Sequence, residues 1–317
     1  VQALAFLVNA RTGALGQTLR FTEPVAALPP AGSTSFDRPT SFDQLVDDMA
    51  AGRVTTLAVL GANPAYAAPA GSGFGEAAAQ VGTIIHAGLH VDETAAIAGW
   101  HLPLAHELES WSDARAVDGT VSIIQPLVRP FHDVRGRHRV LAGLTGILPG
   151  GAEPPERAWV METWRQRWGA AFEDRWRAAL LAGLVEGTAA PEVRPDAVID
   201  PPAVADEPVV DGLSVVFGPD PTIWDGRFAD NAWLQETPKP ANKVTWTNVI
   251  GISPALAAAR GLKGGDVVTL SAAGRSLQGP VWITPGQEAD TVSVTFGYGR
   301  RKAGREGQGI GYDAFAI

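Results

Sequence analysis

Two apolar stretches that end in polar turns constrain the fold of this chain more than any other feature. TTLAVLGANP (55–64) is a continuous apolar run that stops at a Gly/Asn/Pro turn, and residues 81–106 repeat the pattern. Such runs are typical of strands buried on both faces, as in parallel sheets. SFDQLVDDMAAG (41–52) before them predicts a capped amphipathic helix. We therefore predict an α/β domain with a doubly wound parallel sheet, whose ligands would lie at the carboxyl ends of the strands.

The hydrophobic period changes to two in the last third of the chain. Residues 213–219, 266–286 and 291–299 predict short strands, with a hairpin turn at Ala272 to Gly274. Between them, residues 253–266 predict a helix with Ser253 as its N-cap and Gly261 as its C-cap. These elements predict a small β-barrel that contains one or two helices.

A different pattern separates these two regions. Residues 156–187 predict a long helix, broken at Gly169, in which large apolar side chains recur every fourth residue from Trp164 to Leu184. Residues 188–212 are rich in proline and acidic side chains, which is typical of a linker. The predicted domains are therefore residues 1–187 and residues 213–317, with a linker over 188–212.

Charge and composition exclude several classes of function. The chain has 34 acidic and 25 basic side chains, a formal net charge of -9, which argues against nucleic-acid binding because a phosphate backbone would be repelled. It has no cysteine, which excludes disulfides, thiolate metal sites, iron–sulfur ligation and a thiol nucleophile. No apolar run approaches the roughly 20 residues of a membrane helix, so we predict no direct membrane span.

Two separated segments resemble the molybdopterin oxidoreductases. NVIGISPALAAARGLKGGDVVTLSAAGRSLQGPVWITPG (248–286), continuing through 291–300, is similar to their C-terminal dinucleotide-binding double-psi barrel. GANPAY (61–66), followed by residues 92–130, resembles an earlier segment in which a strand-end Asn-Pro precedes Glu-Thr-Ala and a Leu-Pro strand.

The detail is most similar to one branch of that family. Residues 101–127 and 296–317 resemble the large molybdopterin-like iron–sulfur subunit of bacterial alternative complex III, a quinol-oxidising respiratory assembly. The resemblance implies that the chain is a middle piece of a larger oxidoreductase subunit and is not catalytic alone. It implies a scaffold that has lost its molybdenum cofactor, with iron–sulfur clusters only in an adjacent domain that is missing here.

The same resemblance implies partners and a location. The partners would be iron–sulfur, haem and membrane subunits of a respiratory complex, in the bacterial periplasm or, alternatively, on the cytoplasmic face. Two other hypotheses stay open: a fragment of an active oxidoreductase that binds molybdopterin guanine dinucleotide, and a free-standing module that binds a ligand at the strand ends.

Eight residues are the candidate cofactor site by resemblance. Four lie at strand ends, where the family holds a guanosine-type group, and four lie at the cofactor-facing edge of the barrel: Asn63, Asp92, Glu93 and Thr94, then Asn248, Tyr298, Gly299 and Arg300. Asn and Asp suit a purine edge or ribose hydroxyls, and Arg300 suits a phosphate because a guanidinium donates two parallel hydrogen bonds. The alternative is that these are vestigial turn and capping residues in a scaffold without a ligand.

The histidines offer a weaker alternative. All six lie within residues 86–138, and His101, His106, Glu107 and Glu109 are the ligands that a metal site there would use. Their spacing matches no metal motif such as HExxH, so ordinary core and loop histidines are the favoured interpretation. We predict no metal site and assign no catalytic residue.

Overall fold

The computed structural model describes residues 2–25, 41–147, 155–194 and 212–317. Contacts divide the chain into two compact units, each taken from two separate stretches. The described residues of the first unit come from Val1–Thr40 and Leu104–Val209, and those of the second unit come from Ser41–Pro103 and Val210–Ile317.

Helices and strands alternate along most of the described chain. The helices are α1 (Gln2–Arg11), α2 (Phe42–Ala50), α3 (Pro64–Ala67), α4 (Phe74–Ala78), α5 (Glu93–Ile97), α6 (Arg137–Leu144), α7 (Glu156–Trp168), α8 (Phe172–Ala182), α9 (Ala232–Glu236), α10 (Pro254–Arg260) and α11 (Gly304–Gly307). The strands are β1 (Phe21–Thr22), β2 (Thr56–Leu60), β3 (Thr83–Gly88), β4 (Trp100–Pro103), β5 (Ser112–Arg115), β6 (Val121–Ile124), β7 (Glu192–Val193), β8 (Ser214–Gly218), β9 (Ile250–Ile252), β10 (Val267–Ala272), β11 (Arg275–Ile283) and β12 (Thr291–Thr295). Short 3-10 helices in the described residues cover Glu107–Glu109, Gly169–Ala171 and Ala314–Ala316.

The predicted parallel strands are confirmed in the second unit. Strands β2, β3 and β4 form a parallel sheet in that order. Helix α2 begins as predicted, because the Ser41 side chain accepts a hydrogen bond from the Gln44 backbone N–H. It buries Met49 completely against this sheet's apolar core. In this three-stranded sheet the strand order follows the chain, so the doubly wound arrangement stays a prediction.

The second unit also contains a five-stranded sheet with the order β10-β11-β9-β12-β8. Its pairs alternate between antiparallel and parallel. The hairpin between β10 and β11 turns at Ala273 and Gly274, whose φ angles of 48° and 77° match the predicted turn, and α10 has the predicted caps at Ser253 and Gly261. The sheet mixes both strand directions, and its description as a double-psi barrel stays a prediction.

In the first unit, two helices pack against a β-hairpin. The predicted long helix is broken at Gly169, as expected, into α7 and α8. Trp164 and Trp176 are buried against β6, but Leu184 is 39% exposed because α8 ends at Ala182, before the predicted stripe does. Strands β5 and β6 pair antiparallel, and β1 pairs with β7 in the same way.

The domain boundaries predicted from the sequence, 1–187 and 213–317, follow chain order and stay a prediction. Most of the predicted linker, residues 195–211, lies outside the described residues. Among the described helices, none is both long and apolar enough to cross a membrane.

Candidate functional site

Asn63 connects the carboxyl ends of two parallel strands. It follows β2 and precedes α3, but its side chain makes no local capping bond. Its Oδ1 accepts hydrogen bonds from the backbone N–H of Thr94 at 3.0 Å and from the Thr94 hydroxyl at 2.7 Å. The Thr94 hydroxyl in turn accepts a bond from the Ala65 backbone N–H. Asn63 and the fully buried Thr94 therefore hold the two turns together with their polar atoms engaged inside the protein.

Asp92 serves the start of helix α5. Its Oδ1 accepts a hydrogen bond from the Ala95 backbone N–H at 2.9 Å, the usual geometry of an N-cap. The same oxygen lies 3.6 Å from Nε2 of the buried His86. Asp92 is therefore the N-cap of α5.

Glu93 and Arg300 form the centre of the site. The guanidinium donates from Nε to both carboxylate oxygens at 3.0 Å and from Nη2 to Oε2 at 2.7 Å. The backbone N–H groups of Arg301 and Lys302 donate to Oε1 at 2.8 and 2.9 Å, and Asn63 Nδ2 donates to Oε2 at 2.7 Å. Burial alone would raise the pKa of Glu93, but these hydrogen bonds and the Arg300 charge lower the pKa to about 2. Glu93 is therefore ionised at neutral pH.

Arg300 is only 6% exposed, and most of its remaining donors are also used. Nη1 donates to the carbonyl of Gly226 at 2.6 Å, and Nη2 donates to the carbonyl of Lys302 at 3.0 Å. The guanidinium carbon lies 4.7 Å from the centre of the Tyr66 ring, a favourable cation–π distance. A phosphate that took two parallel hydrogen bonds from Nε and Nη2 of Arg300 would therefore have to displace the Glu93 carboxylate.

Tyr298 belongs to a second buried polar group. Its hydroxyl accepts a hydrogen bond from Nζ of Lys239 at 2.9 Å, and its backbone carbonyl accepts one from the Tyr66 hydroxyl at 2.7 Å. Lys239 Nζ also lies 3.6 Å from Oδ2 of the fully buried Asp220. Burial lowers the pKa of Lys239 while the Asp220 charge opposes that shift, and burial raises the pKa of Tyr298. This group is part of the interior, since Tyr298 is 1% exposed.

Asn248 precedes β9 and Gly299 follows β12, and both make close contacts with neighbouring backbone. Asn248 Nδ2 donates to the carbonyls of Thr295 and Tyr312 at 2.9 and 3.0 Å, and Oδ1 accepts from the Tyr312 backbone N–H at 3.0 Å. Gly299 has a φ of 71°, and a Cβ atom there would overlap the backbone of Asp313. Only glycine fits such a close approach without strain.

The structure brings together the side chains of Asn63, Glu93, Thr94 and Arg300 in one hydrogen-bonded network. Tyr66 contacts both Arg300 and the Tyr298 carbonyl and so connects Tyr298 to this network, while Asn248 holds the neighbouring backbone. Sequence reasoning missed three of the buried polar residues, namely Tyr66, Asp220 and Lys239. Tyr66 lies in the GANPAY segment, but the resemblance of that segment did not single it out. A pattern of charges does not reveal that a single lysine or aspartate is buried.

Two of the histidines contact each other, and two more contact nearby polar groups. Nδ1 of the buried His86 lies 3.0 Å from Nδ1 of His101, its partner on the adjacent strand. His90 lies at the surface, with Nε2 3.0 Å from Asp230 Oδ2, and His106 caps the 3-10 helix that contains Glu107 and Glu109. In the described part of the chain, no three His, Asp or Glu side chains are placed to hold a metal ion together.

The described elements make a mixed α/β protein in which parallel and antiparallel sheets support this network. Residues 228–311, which contain Arg300, Tyr298 and Asn248, match the family model of the Molydopterin dinucleotide binding domain. The match covers the part of the chain from which the cofactor-facing barrel edge was predicted, and it supports that part of the resemblance.

A solved structure gives an independent likeness of fold. Acetylene hydratase from Pelobacter acetylenicus is similar with a TM-score of 0.59 and 15% sequence identity, over 86% of this chain and 42% of that chain. This chain thus spans less than half of the length of the structure that it matches. No curated protein matches the sequence.

Proposed function

We propose that this chain is part of a molybdopterin-oxidoreductase-like subunit and serves as a scaffold that no longer holds the cofactor. The observation that carries the proposal is the state of the predicted site: Asn63, Glu93, Thr94 and Arg300 bond to one another. A pterin dinucleotide needs free donors and acceptors for its phosphates and purine. The side chains expected to supply them are already satisfied within the chain.

The scaffold would position electron carriers that lie outside this chain. The sequence has no cysteine, so any iron–sulfur cluster must be held by another domain or subunit. By resemblance, we propose iron–sulfur, haem and membrane subunits of a respiratory quinol-oxidising complex as partners, and the bacterial periplasm as the location. The Trp233 side chain is 84% exposed, and a large aromatic side chain in that position suits a docking contact.

The second candidate function is retained dinucleotide binding. The family-model match over residues 228–311 favours it, because the family takes its name from that activity. In that case the cofactor would be held by backbone groups or by side chains other than the internal network, within an active oxidoreductase that is longer than this chain.

Cofactor content separates the two candidates. The whole subunit is produced in a host that makes the cofactor, and molybdenum is measured by elemental analysis and pterin by the fluorescence of its oxidised form. An established molybdopterin enzyme from the same host is the positive control. The scaffold proposal expects neither molybdenum nor pterin, and stoichiometric amounts of both would contradict it.

A nucleotide titration addresses the part of the cofactor that the site would contact. Calorimetry with a guanine nucleotide and this chain is expected to give no saturable heat. Saturable binding that is lost in Asn63→Ala, but not in the exposed Asn231→Ala, would instead support a ligand site at the strand ends.

A further inference from the structure

The network contains a group of donors with the properties of an anion-binding site. We name the cradle the set of N–H groups on Nε and Nη2 of Arg300 and on the backbone nitrogens of Arg301 and Lys302. All of them point at one carboxylate, within 3.0 Å of its oxygens. A guanidinium edge together with successive backbone N–H groups is the arrangement that proteins use to bind phosphates and carboxylates.

The anion in the cradle comes from a distant part of the sequence. Glu93 lies 207 residues before Arg300, at the start of α5, so it is not a local capping residue of the turn that it fills. Asn63 donates to the second carboxylate oxygen and fixes the orientation of the carboxylate. The carboxylate is therefore positioned by one stretch of the unit and bound by another.

We propose that the cradle is an anion-binding site whose resident anion is the Glu93 carboxylate, so that the chain itself closes it to a ligand phosphate or carboxylate. This inference rests on the proposed function, since it gives the reason why the barrel edge takes no dinucleotide. Glu93 acts as an internal substitute for the anionic group of a ligand.

Burial explains why the cradle needs an occupant. The side chains of Arg300 and Glu93 are only 7% and 11% exposed, so water does not compensate either charge well. If the carboxylate is removed, a buried guanidinium and two backbone N–H groups lose their acceptor. A free anion of suitable size should then bind in the cradle and stabilise the chain. If Glu93 and Arg300 were an ordinary ion pair without a shaped site, added anion would stabilise the variant little.

Chemical rescue tests the proposal. Glu93→Ala removes the atoms of one acetate ion from the cradle, so acetate is the matched probe and acetamide is its neutral control. The thermal unfolding temperature of the full chain is measured against acetate concentration, with chloride keeping the ionic strength constant. The controls are the wild type and the exposed Glu236→Ala. We expect a saturable rise in Tm with acetate in Glu93→Ala alone, no comparable rise with acetamide, and weaker binding of inorganic phosphate at the same site.

Several results would overturn the proposal. One is a Tm of Glu93→Ala that responds to acetate no more than the wild type does. Another is a Glu93→Ala chain that is unfolded in buffer and does not refold as acetate is added. A third uses the wild type: saturable phosphate binding that Arg300→Gln abolishes would mean that the cradle is open.

The outcome is separable from that of the proposed function. Glu93→Gln fills the cradle with a neutral group of the same shape, and we expect it to lose stability without rescue by acetate. If the whole subunit carries pterin while acetate still rescues Glu93→Ala, the scaffold proposal fails and the cradle stands. If the subunit lacks pterin and acetate does not stabilise Glu93→Ala, the scaffold proposal stands and the anion-binding proposal for the cradle fails.

Discussion

Replacement of Asn248 by alanine distinguishes a structural residue from a cofactor ligand. The side chain is 1% exposed and makes three hydrogen bonds, two to backbone carbonyls and one from the Tyr312 backbone N–H. Asn248→Ala removes all three and leaves the Tyr312 N–H buried without this acceptor. A ligand role predicts instead that the substitution leaves the fold stable and weakens nucleotide binding.

The expected loss of stability follows from these bonds. A stranded buried N–H costs about 1–3 kcal/mol, and the two bonds to carbonyls contribute about 1 kcal/mol each, so the total is about 3–5 kcal/mol. This is a large fraction of the roughly 5–15 kcal/mol that stabilises a typical domain. Asn248→Asp should lose at least as much at neutral pH, because its second oxygen would face the carbonyls of Thr295 and Tyr312.

Hydrogen exchange is the suitable assay because the chain has two units and need not unfold in one step. Exchange of peptides within residues 291–317 is followed by mass spectrometry in the native state, alongside urea unfolding. Asn242→Ala is the matched control, since its Oδ1 accepts one turn hydrogen bond from Val244 and is not fully buried. It should cost about 1 kcal/mol. A structural role for Asn248 would be refuted if Asn248→Ala had a free energy of unfolding within about 1 kcal/mol of the wild type and if hydrogen exchange within residues 291–317 were unchanged.

Three further substitutions test other parts of the structure. Gly299→Ala should cost about 2–5 kcal/mol in urea unfolding, from positive φ and overlap with the facing backbone, whereas Gly264→Ala, with open space around its Cβ, should change little. The hydrogen bond to Asp230 raises the pKa of His90, partly opposed by burial. Its stabilising effect should be complete below the unfolded pKa near 6.5 and be lost as pH rises through the folded value; a pH-dependent urea midpoint that is the same in wild type and His90→Gln would contradict this. Trp164→Phe removes the hydrogen bond from the indole N–H to the Asp113 carboxylate in β5. It should lower the free energy of unfolding by about 1.5–3 kcal/mol, measured by urea unfolding followed by circular dichroism. A loss below about 0.5 kcal/mol would contradict a stabilising role for this bond.

Much of the secondary structure could be predicted because its signals are local. The apolar run at 55–64, the Ser41 and Ser253 caps and the break at Gly169 each depend on residues within one turn or strand. The strand β9 was missed because three residues, Ile250–Ile252, are too few to show a period. It is nevertheless the central strand of the five-stranded sheet, a position that only pairing with β11 and β12 defines.

The spacing of apolar residues determined which segments are helices and strands. The cysteine count excluded thiol chemistry, and the residue types at 248–300 carried the resemblance to the dinucleotide-binding barrel. The partners of the candidate site residues were decided in three dimensions. Glu93 and Arg300 each look like free, ligand-binding groups in the sequence, but the fold brings them together across 207 positions and satisfies both charges. Pattern reasoning cannot anticipate such a pairing, because hydrogen bonding and burial depend on distances that sequence separation does not encode. In the tertiary structure, Glu93 and Arg300, two of the residues predicted to contact a cofactor, therefore form an ion pair with each other.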